Sequence, residues 1–413
     1  MATSLDFILA SKEYFMTAAE FMFPEARIPY GTWGSSAFPA WQTSPLAEVN
    51  IGQFAGEATN RIMGRRGVQV SSLDYLVLGS TIPWHRKFWT APLISIAMDS
   101  RIAGYHVEQA CATGLQATLL AGNEVQGGSH DVVGVVTFDR TSDSPVGVFP
   151  ERRGYRRTEA ISDVWDNFSS DPATGGSMIA TAGNAARKHK LDRSEVDELT
   201  IHRYNQYFAA RDSGFLDRVI VPLDLLNIQG RPMGRIDEDL GVRRINLASL
   251  KGMRQLDTCV TSGTQTHTSD GMACLLVCRP EKVKELSPRP EVDIRFVAKA
   301  EVRAEPGFMP EAPALATQQL LRRTGLTMDD MAVVKNHNPF AVNDVVFSKM
   351  LDYDWHKMNN NGCSLVWGHP QGPTLTRIVI EAMEEAVDLG GGYVLVFGCA
   401  AGDVGIAALF KVA

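Results

Sequence analysis

The run Val107-Glu108-Gln109-Ala110-Cys111-Ala112-Thr113-Gly114-Leu115-Gln116-Ala117 puts a thiol among small residues, just ahead of an apolar helical pattern that continues to Val125. A helix start carries unpaired backbone N–H groups and the positive end of the peptide dipole, and both favour a thiolate. An ordinary free cysteine, with a pKa of about 8.5, is only a few per cent thiolate at pH 7, so this position can make it a usable nucleophile. Taken alone, a single Cys is more often a small buried thiol at a tight strand–helix junction.

The rest of the chain narrows the choice. Its 413 residues exceed what one core usually accommodates, so two or three domains are expected. With 45% hydrophobic and 21% charged residues, the composition is that of an ordinary globular protein. A formal net charge of −7 argues against general nucleic-acid binding, although a local Arg cluster would still serve an anionic small ligand. Six Cys without a CxxC pair do not suggest a disulfide framework, and Cys274 and Cys278 read as buried strand thiols. The nine His form no HExxH-type pattern, so no metal is called for. Met1–Phe23 is amphipathic and contains acids, which fits neither a secretory signal nor a mitochondrial presequence. The ending Phe410-Lys411-Val412-Ala413 is no peroxisomal address, and no apolar run is long enough to span a membrane. A cytoplasmic, membrane-free setting is the expectation.

Strand and helix patterns alternate. β-rich runs stand at Tyr75–Leu78, Asp131–Phe138, Ala273–Cys278, Ile294–Ala298, Met331–Val334, Tyr393–Phe397 and Gly405–Val412. Helical patterns stand at Leu115–Val125, Ala312–Thr324, Val342–Met350 and Leu375–Leu389. This predicts an α/β fold with substantial parallel sheet. A faint repeat is visible. A Cys111 loop, apolar helix, Gly127-Gly128 turn and strand are echoed by a His369 loop, helix, Gly390-Gly391-Gly392 turn and strand. Residues 141–257 break this pattern with Arg-rich and Gly/Pro-rich turns and two further helices, Met178–His189 and Ser194–Ser213. They read as a large insertion, the kind of segment that often carries binding function. The expected division is residues 1–140 plus 258–290, an inserted loop domain 141–257, and residues 291–413.

Three downstream turns carry the remaining chemistry. They are Asn336-His337-Asn338-Pro339-Phe340 after a strand, Gly368-His369-Pro370-Gln371-Gly372 before a helix, and Cys399-Ala400-Ala401-Gly402-Asp403-Val404-Gly405 between two strands. Each sets a His or Cys on a Gly- or Pro-bounded turn at a strand end, where α/β sheets expose functional groups. Together with the Cys111 run, this ordered set resembles the thiolase superfamily over nearly the whole chain. His337-Asn338-Pro339-Phe340 aligns with the family's Asn-Glu-Ala-Phe segment, and the third turn with its Cys-x-Gly-Gly-Gly-x-Gly. Ala26–Gly31, Ser177–Ala182 and Thr261–Gly271 echo weaker family segments.

The resemblance implies duplicated α/β halves in a five-layer αβαβα core with an inserted loop domain, which would contribute to CoA binding and oligomer contacts. It implies reversible Claisen chemistry on acyl-CoA, with CoA as substrate or product and no tightly bound cofactor. Cys111 would be the acyl-accepting nucleophile, His369 its base, and Cys399 the second acid/base. His337 and His369 would form one oxyanion hole, and the backbone N–H groups of Cys111 and Ala401 the other. Met178 would line the acyl pocket, and Thr266 would take a place that touches pantetheine. Of the insertion's Arg152, Arg153, Arg156, Arg157, Arg231, Arg235, Arg243 and Arg244, we single out Arg231 and Arg235 for CoA phosphate, because they flank a turn. A homodimer or homotetramer is implied, and a partner subunit is conceivable. Asp403 is the sharpest departure, since an ionised carboxylate would disfavour a Cys399 thiolate. Two rivals follow. One is a decarboxylating ketoacyl synthase, suggested by the Cys-His-His set. The other is an inactive acyl-CoA-binding scaffold subunit, suggested by the altered Ala400–Asp403 tail.

Overall fold

The computed structural model describes residues 21–150 and 158–413. Nine strands build two sheets. In the first, β1 (Trp33–Ser35), β2 (Tyr75–Gly79), β3 (Ala103–Val107), β4 (Val132–Arg140) and β5 (Asp270–Cys278) lie in the order β1-β5-β4-β2-β3. In the second, β6 (Ile294–Arg303), β7 (Met331–His337), β8 (Gly392–Ala400) and β9 (Val404–Val412) lie in the order β6-β9-β8-β7. β4 is buried from Val132 to Asp139 and β5 along its whole length. Such near-continuous apolar strands belong to sheets covered on both faces.

The parallel content is smaller than the sequence suggests. Only β2–β3, β2–β4 and β7–β8 pair in parallel. The other pairings are antiparallel. β8 and β9 are joined by the short turn Ala401-Gly402-Asp403, which permits only an antiparallel return.

Two helices, Thr113–Gln126 and Gln371–Asp388, fill the space between the sheets. Helices Ile51–Arg65 and Thr90–Ala97 cover the first sheet, and Ala312–Thr324 covers the second, giving five layers. Gly114 lets the two central helices meet. A Cβ there would lie 2.7 Å from the Gly372 carbonyl oxygen and 2.6 Å from the Thr376 nitrogen. The repeat is visible in space, since Cys111 precedes one central helix and His369 the other. Helix Ile51–Arg65 has no counterpart in the sequence reading. Its three glycines, Gly52, Gly56 and Gly64, weaken the helical signal.

The second central helix is buried from Gln371 to Ala386 despite its charges. Arg377 donates to both Asp239 carboxylate oxygens, at 2.8 and 2.9 Å, and to Glu381 at 3.0 Å. Its guanidinium also lies over the rings of Trp367 and Phe38. Asp239 accepts the Phe38 N–H and the Tyr207 hydroxyl as well, so it ties the 141–257 segment to the central layer. Removing one partner of a buried pair leaves a charge without compensation. Asp239→Ala is therefore expected to lower unfolding stability by about 3–5 kcal/mol in chemical denaturation.

Candidate active site

Cys111 sits two residues before its helix, in a turn where Ala110 has a left-handed φ of +43°. The Thr113 hydroxyl closes this turn by donating to the Ala110 carbonyl and accepting the Gln109 N–H. The turn brings the Cys111 sulfur to 3.1 Å from His369 Nε2. His369 Nδ1 lies 2.7 Å from the Thr374 hydroxyl, which donates its single proton to the Pro370 carbonyl. Thr374 can then only accept from the ring. The His369 proton therefore resides on Nδ1, and bare Nε2 faces the thiol. Burial pushes the Cys111 thiol up to about 12, while the N–H groups of Ala401 and of Cys111 itself pull it down. Burial lowers His369 to about 3. The resting pair is thus a thiol and a neutral imidazole, ready for proton transfer as a substrate arrives.

When His369 takes the proton, its bond to Thr374 becomes charge-assisted. Such a bond is worth about 1.5–3 kcal/mol. Thr374→Val keeps the side chain's shape and removes the acceptor. It is expected to slow acylation of Cys111 roughly ten- to hundredfold in single-turnover kinetics, with a retained cooperative unfolding transition, lowered by about 1–3 kcal/mol for the unmatched groups, as the check on folding.

His337 stacks on His369, with ring centroids 4.0 Å apart and planes 27° apart. Burial, and then the neighbouring His369, hold its pKa well below the usual range. Ser364 accepts the Asn338 N–H and lies 2.8 Å from His337 Nδ1. Its hydroxyl donates to Asn338 Oδ1 at 3.2 Å, an oxygen that also takes the Leu365 N–H. The Ser364 oxygen then accepts the His337 Nδ1–H, and His337 presents a bare Nε2 that is buried and lacks a partner among the described residues. Through a bridging water, that nitrogen would serve an oxyanion. Asn338 turns away and donates to Asp344 and the Cys363 sulfur, a structural role.

Cys399 lies in β8, fully buried, with Asn343 Nδ2 3.5 Å from its sulfur. Burial and then the neighbouring Cys111 raise its pKa well above the thiol norm, and Asp403 adds only a minor part. Asp403 is buried rather than solvent-facing, and its carboxylate accepts the Gly307 N–H at 3.0 Å. Gly402 and Asp403 both have left-handed φ, +83° and +59°. Asp tolerates this region better than most residues, so the altered tail keeps a tight turn and directs the Ala401 N–H at the Cys111 sulfur.

The structure thus brings Cys111, His337, His369, Cys399 and Ala401 together. Met178 begins a helix capped by Ser177 and lines a cavity beside Gly402 and Asp403. Thr266 donates its hydroxyl to the Ser364 carbonyl, which leaves its oxygen only accepting capacity. Arg231 and Arg235 are exposed on the hairpin Leu223–Leu226/Pro232–Ile236. That hairpin bonds to Arg61 and Glu48, on the side of the outer helix. Arg244 pairs with Asp212 and covers the Phe208 ring. Arg152, Arg153, Arg156 and Arg157 lie outside the described residues.

Asp139 was not singled out from the sequence. One of its oxygens accepts the Thr81 and Ile82 N–H groups, and the other accepts the Thr81 hydroxyl and the Gly372 N–H, at 2.6 to 2.9 Å. It fastens the His369 turn to the end of β4. Burial raises its pKa to about 6. The available signal was a carboxylate at the end of an apolar strand. The Cys111, His337 and His369 ligand atoms lie within 4.8 Å of one another, a spacing that would also admit a metal ion.

Known proteins match this arrangement over more than nine-tenths of the chain. The thiolase N-terminal domain matches residues 37–281 and the thiolase C-terminal domain residues 290–412. Acetyl-CoA acetyltransferase of Cupriavidus necator is 24% identical over 394 residues, covering 92% of this chain and 96% of its own. The crystal structure of the Bacillus anthracis acetyl-CoA acetyltransferase superposes with a TM-score of 0.85 at 26% identity, covering 94% of this chain and 99% of that one. The human mitochondrial 3-ketoacyl-CoA thiolase, solved in complex with CoA, has the same fold, with a TM-score of 0.84, 22% identity and coverage of 95% and 99%. With both domains present in order around the Cys111–His369 pair, the chain belongs to the thiolase family.

Proposed function

We propose that the protein is a CoA-dependent C-acyltransferase that condenses two acyl-CoA molecules, or cleaves a 3-ketoacyl-CoA with free CoA, through an acyl group on Cys111. The observation that carries this reading is the 3.1 Å contact between Cys111 and His369, with the His369 proton fixed on the far nitrogen by Thr374. In acyl transfer, the Cys111 sulfur attacks the thioester carbonyl as His369 Nε2 takes the thiol proton. The same proton then goes to the departing CoA sulfur, leaving an S-acyl Cys111. Backbone N–H groups of Cys111 and Ala401 stabilise the oxyanion on the Cys111-bound carbonyl. His337, through a bridging water, and His369, while its ring carries a second proton on Nε2, would stabilise the enolate oxygen of the second thioester.

Carbon–carbon chemistry needs a further acid/base, and Cys399 supplies it. Its raised pKa keeps it a thiol at rest, which is the acid that cleavage requires when an enolate leaves. Condensation uses its conjugate base to remove the α-proton. A buried second thiol beside the nucleophile distinguishes this reading from a decarboxylating synthase, which makes its carbanion by losing CO2.

Acetyl-CoA is the deciding probe. A mass shift of intact protein that disappears in Cys111→Ser supports the catalyst, while absence of any adduct with short and medium acyl-CoAs favours a scaffold. Condensation that strictly required malonyl-CoA as donor would favour the decarboxylating synthase. The proposal extends to a homodimer or homotetramer, to be read by light scattering, and to a cytoplasmic location. All six cysteines are free thiols, which suits a reducing compartment. No helix among the described residues is long and apolar enough to cross a membrane.

A further inference from the structure

Gln371 opens the helix Gln371–Asp388, two residues after His369, and the backbone around it is held on both sides. His369 donates its N–H to the His267 carbonyl at 2.9 Å, and Gly372 donates its N–H to Asp139 at 2.6 Å. Pro370, with its φ fixed by its ring, completes the restraint. From this fixed start the Gln371 side chain, only 9% exposed, places Oε1 4.0 Å from the Cys111 sulfur. The acyltransferase mechanism gives this amide no part.

An oxygen gains nothing in that place. A thiol has one proton, and at 3.1 Å His369 Nε2 is much the nearer acceptor for it. The amide oxygen therefore faces sulfur lone pairs, and it would face a full negative charge once His369 has taken the proton. The two ends of a primary amide have nearly the same shape, and a half-turn of its last bond exchanges them. Here the half-turn breaks no hydrogen bond, because the Gln371 amide has no other hydrogen-bond partner among the described residues. It brings the Nε2 donors to the sulfur.

We infer that Gln371 is a further catalytic residue, which turns its amide N–H onto the Cys111 sulfur as the thiol loses its proton. The inference rests on the acyltransferase reading of Cys111. The N–H groups of Ala401 and of Cys111 itself already face this sulfur, so the amide adds a donor from the His369 turn. When CoA later takes the acyl group, Cys111 departs as a thiolate, and the same donor eases its departure. A hydrogen bond to a charged group changes the thiolate population roughly ten- to hundredfold. A less acidic thiol is also the better nucleophile once ionised, which offsets nearly half of that on a logarithmic scale. Rates of thiolate reactions should then change roughly three- to fifteenfold.

Two variants test this. Gln371→Met keeps the length of the side chain and removes the amide. Gln371→Glu keeps the shape and the oxygen and removes both donors. Alkylation of Cys111 by iodoacetamide, located by peptide mapping, reads the thiolate without any CoA compound. The ionisable groups around Cys111, which are His369, His337, Cys399 and Asp139, stay in place in both variants. Gln371→Met should be alkylated roughly three- to fifteenfold more slowly between about pH 6 and 9. Acylation by acetyl-CoA, read by rapid-quench mass spectrometry of the intact protein, should slow by a similar factor. Gln371→Glu should slow alkylation at least as much, and by more as rising pH ionises its carboxylate. A cooperative unfolding transition in both variants checks folding. A space-filling role for Gln371 would leave alkylation of Gln371→Met within about twofold of wild type. A carbonyl held against the sulfur would make that variant faster. Either result overturns the inference. If wild type accepts no acetyl group on Cys111, the acyltransferase reading fails separately, and alkylation still decides whether Gln371 serves the sulfur.

Discussion

Cys111→Ser is expected to lower acyl transfer on the order of 10⁴-fold or more and to remove the acyl adduct from the intact-mass spectrum. The loss has two sources. A serine hydroxyl is far less acidic than a thiol, and here even the thiol is raised to about 12 by burial. The neutral His369, lowered to about 3, is a weak base that suffices only for a group that already attacks well once deprotonated. Exchanging sulfur for oxygen widens the proton-transfer gap without moving any other atom. The Ala401 and Cys111 N–H groups remain, so substrate binding should persist while chemistry stops. Full activity in this variant, or an adduct that maps to another side chain, would place the nucleophile elsewhere.

The residues proposed to act on substrate were legible because each stands in a short pattern with its own chemistry. Cys111, His337, His369 and Cys399 all occupy Gly- or Pro-bounded turns at strand ends. The residues that prepare them were not, because they act across the chain. Asp139 reaches Gly372 over 233 positions, and Thr374 and Ser364 become informative only once their single protons are assigned to particular carbonyls or rings. Asp403 was ambiguous for a related reason. Its residue type announces a charge, but its effect depends on a left-handed turn that aims the carboxylate at the Gly307 N–H, away from the Cys399 sulfur. Charge pattern misleads in the central helix as well. Arg377, Glu381 and Glu384 look like a solvated face, yet they are buried, Arg377 against Asp239, Glu384 against Trp33 and Tyr30, and Glu381 in ion pairs with Arg377 and Lys335. Arg231 and Arg235 show the limit of turn position as a guide. Their hairpin is built against the outer helix, and exposure alone assigns no ligand.

Cys399→Ala should separate the two half-reactions. Acylation of Cys111 from acetyl-CoA needs only the Cys111–His369 pair and the backbone donors, and the substitution touches none of them. Removing the neighbouring thiol even relieves one unfavourable influence, because the charged forms of the two cysteines oppose each other. Acyl-enzyme should therefore form at close to the normal rate. Carbon–carbon bond formation and cleavage should fall roughly 10²- to 10⁴-fold, the range that a positioned acid/base contributes. Asn343→Ala is the companion variant. Asn343 donates to the Cys399 sulfur at 3.5 Å and so favours its thiolate. Its loss should slow condensation, which needs the thiolate, more than cleavage, which begins from the thiol. A structural role for either residue would depress both half-reactions together. Condensation within a few-fold of wild type in Cys399→Ala would mean that another group moves the α-proton. Among the described residues the acid that adjoins this turn is Asp403, whose raised pKa would then make it the group to test.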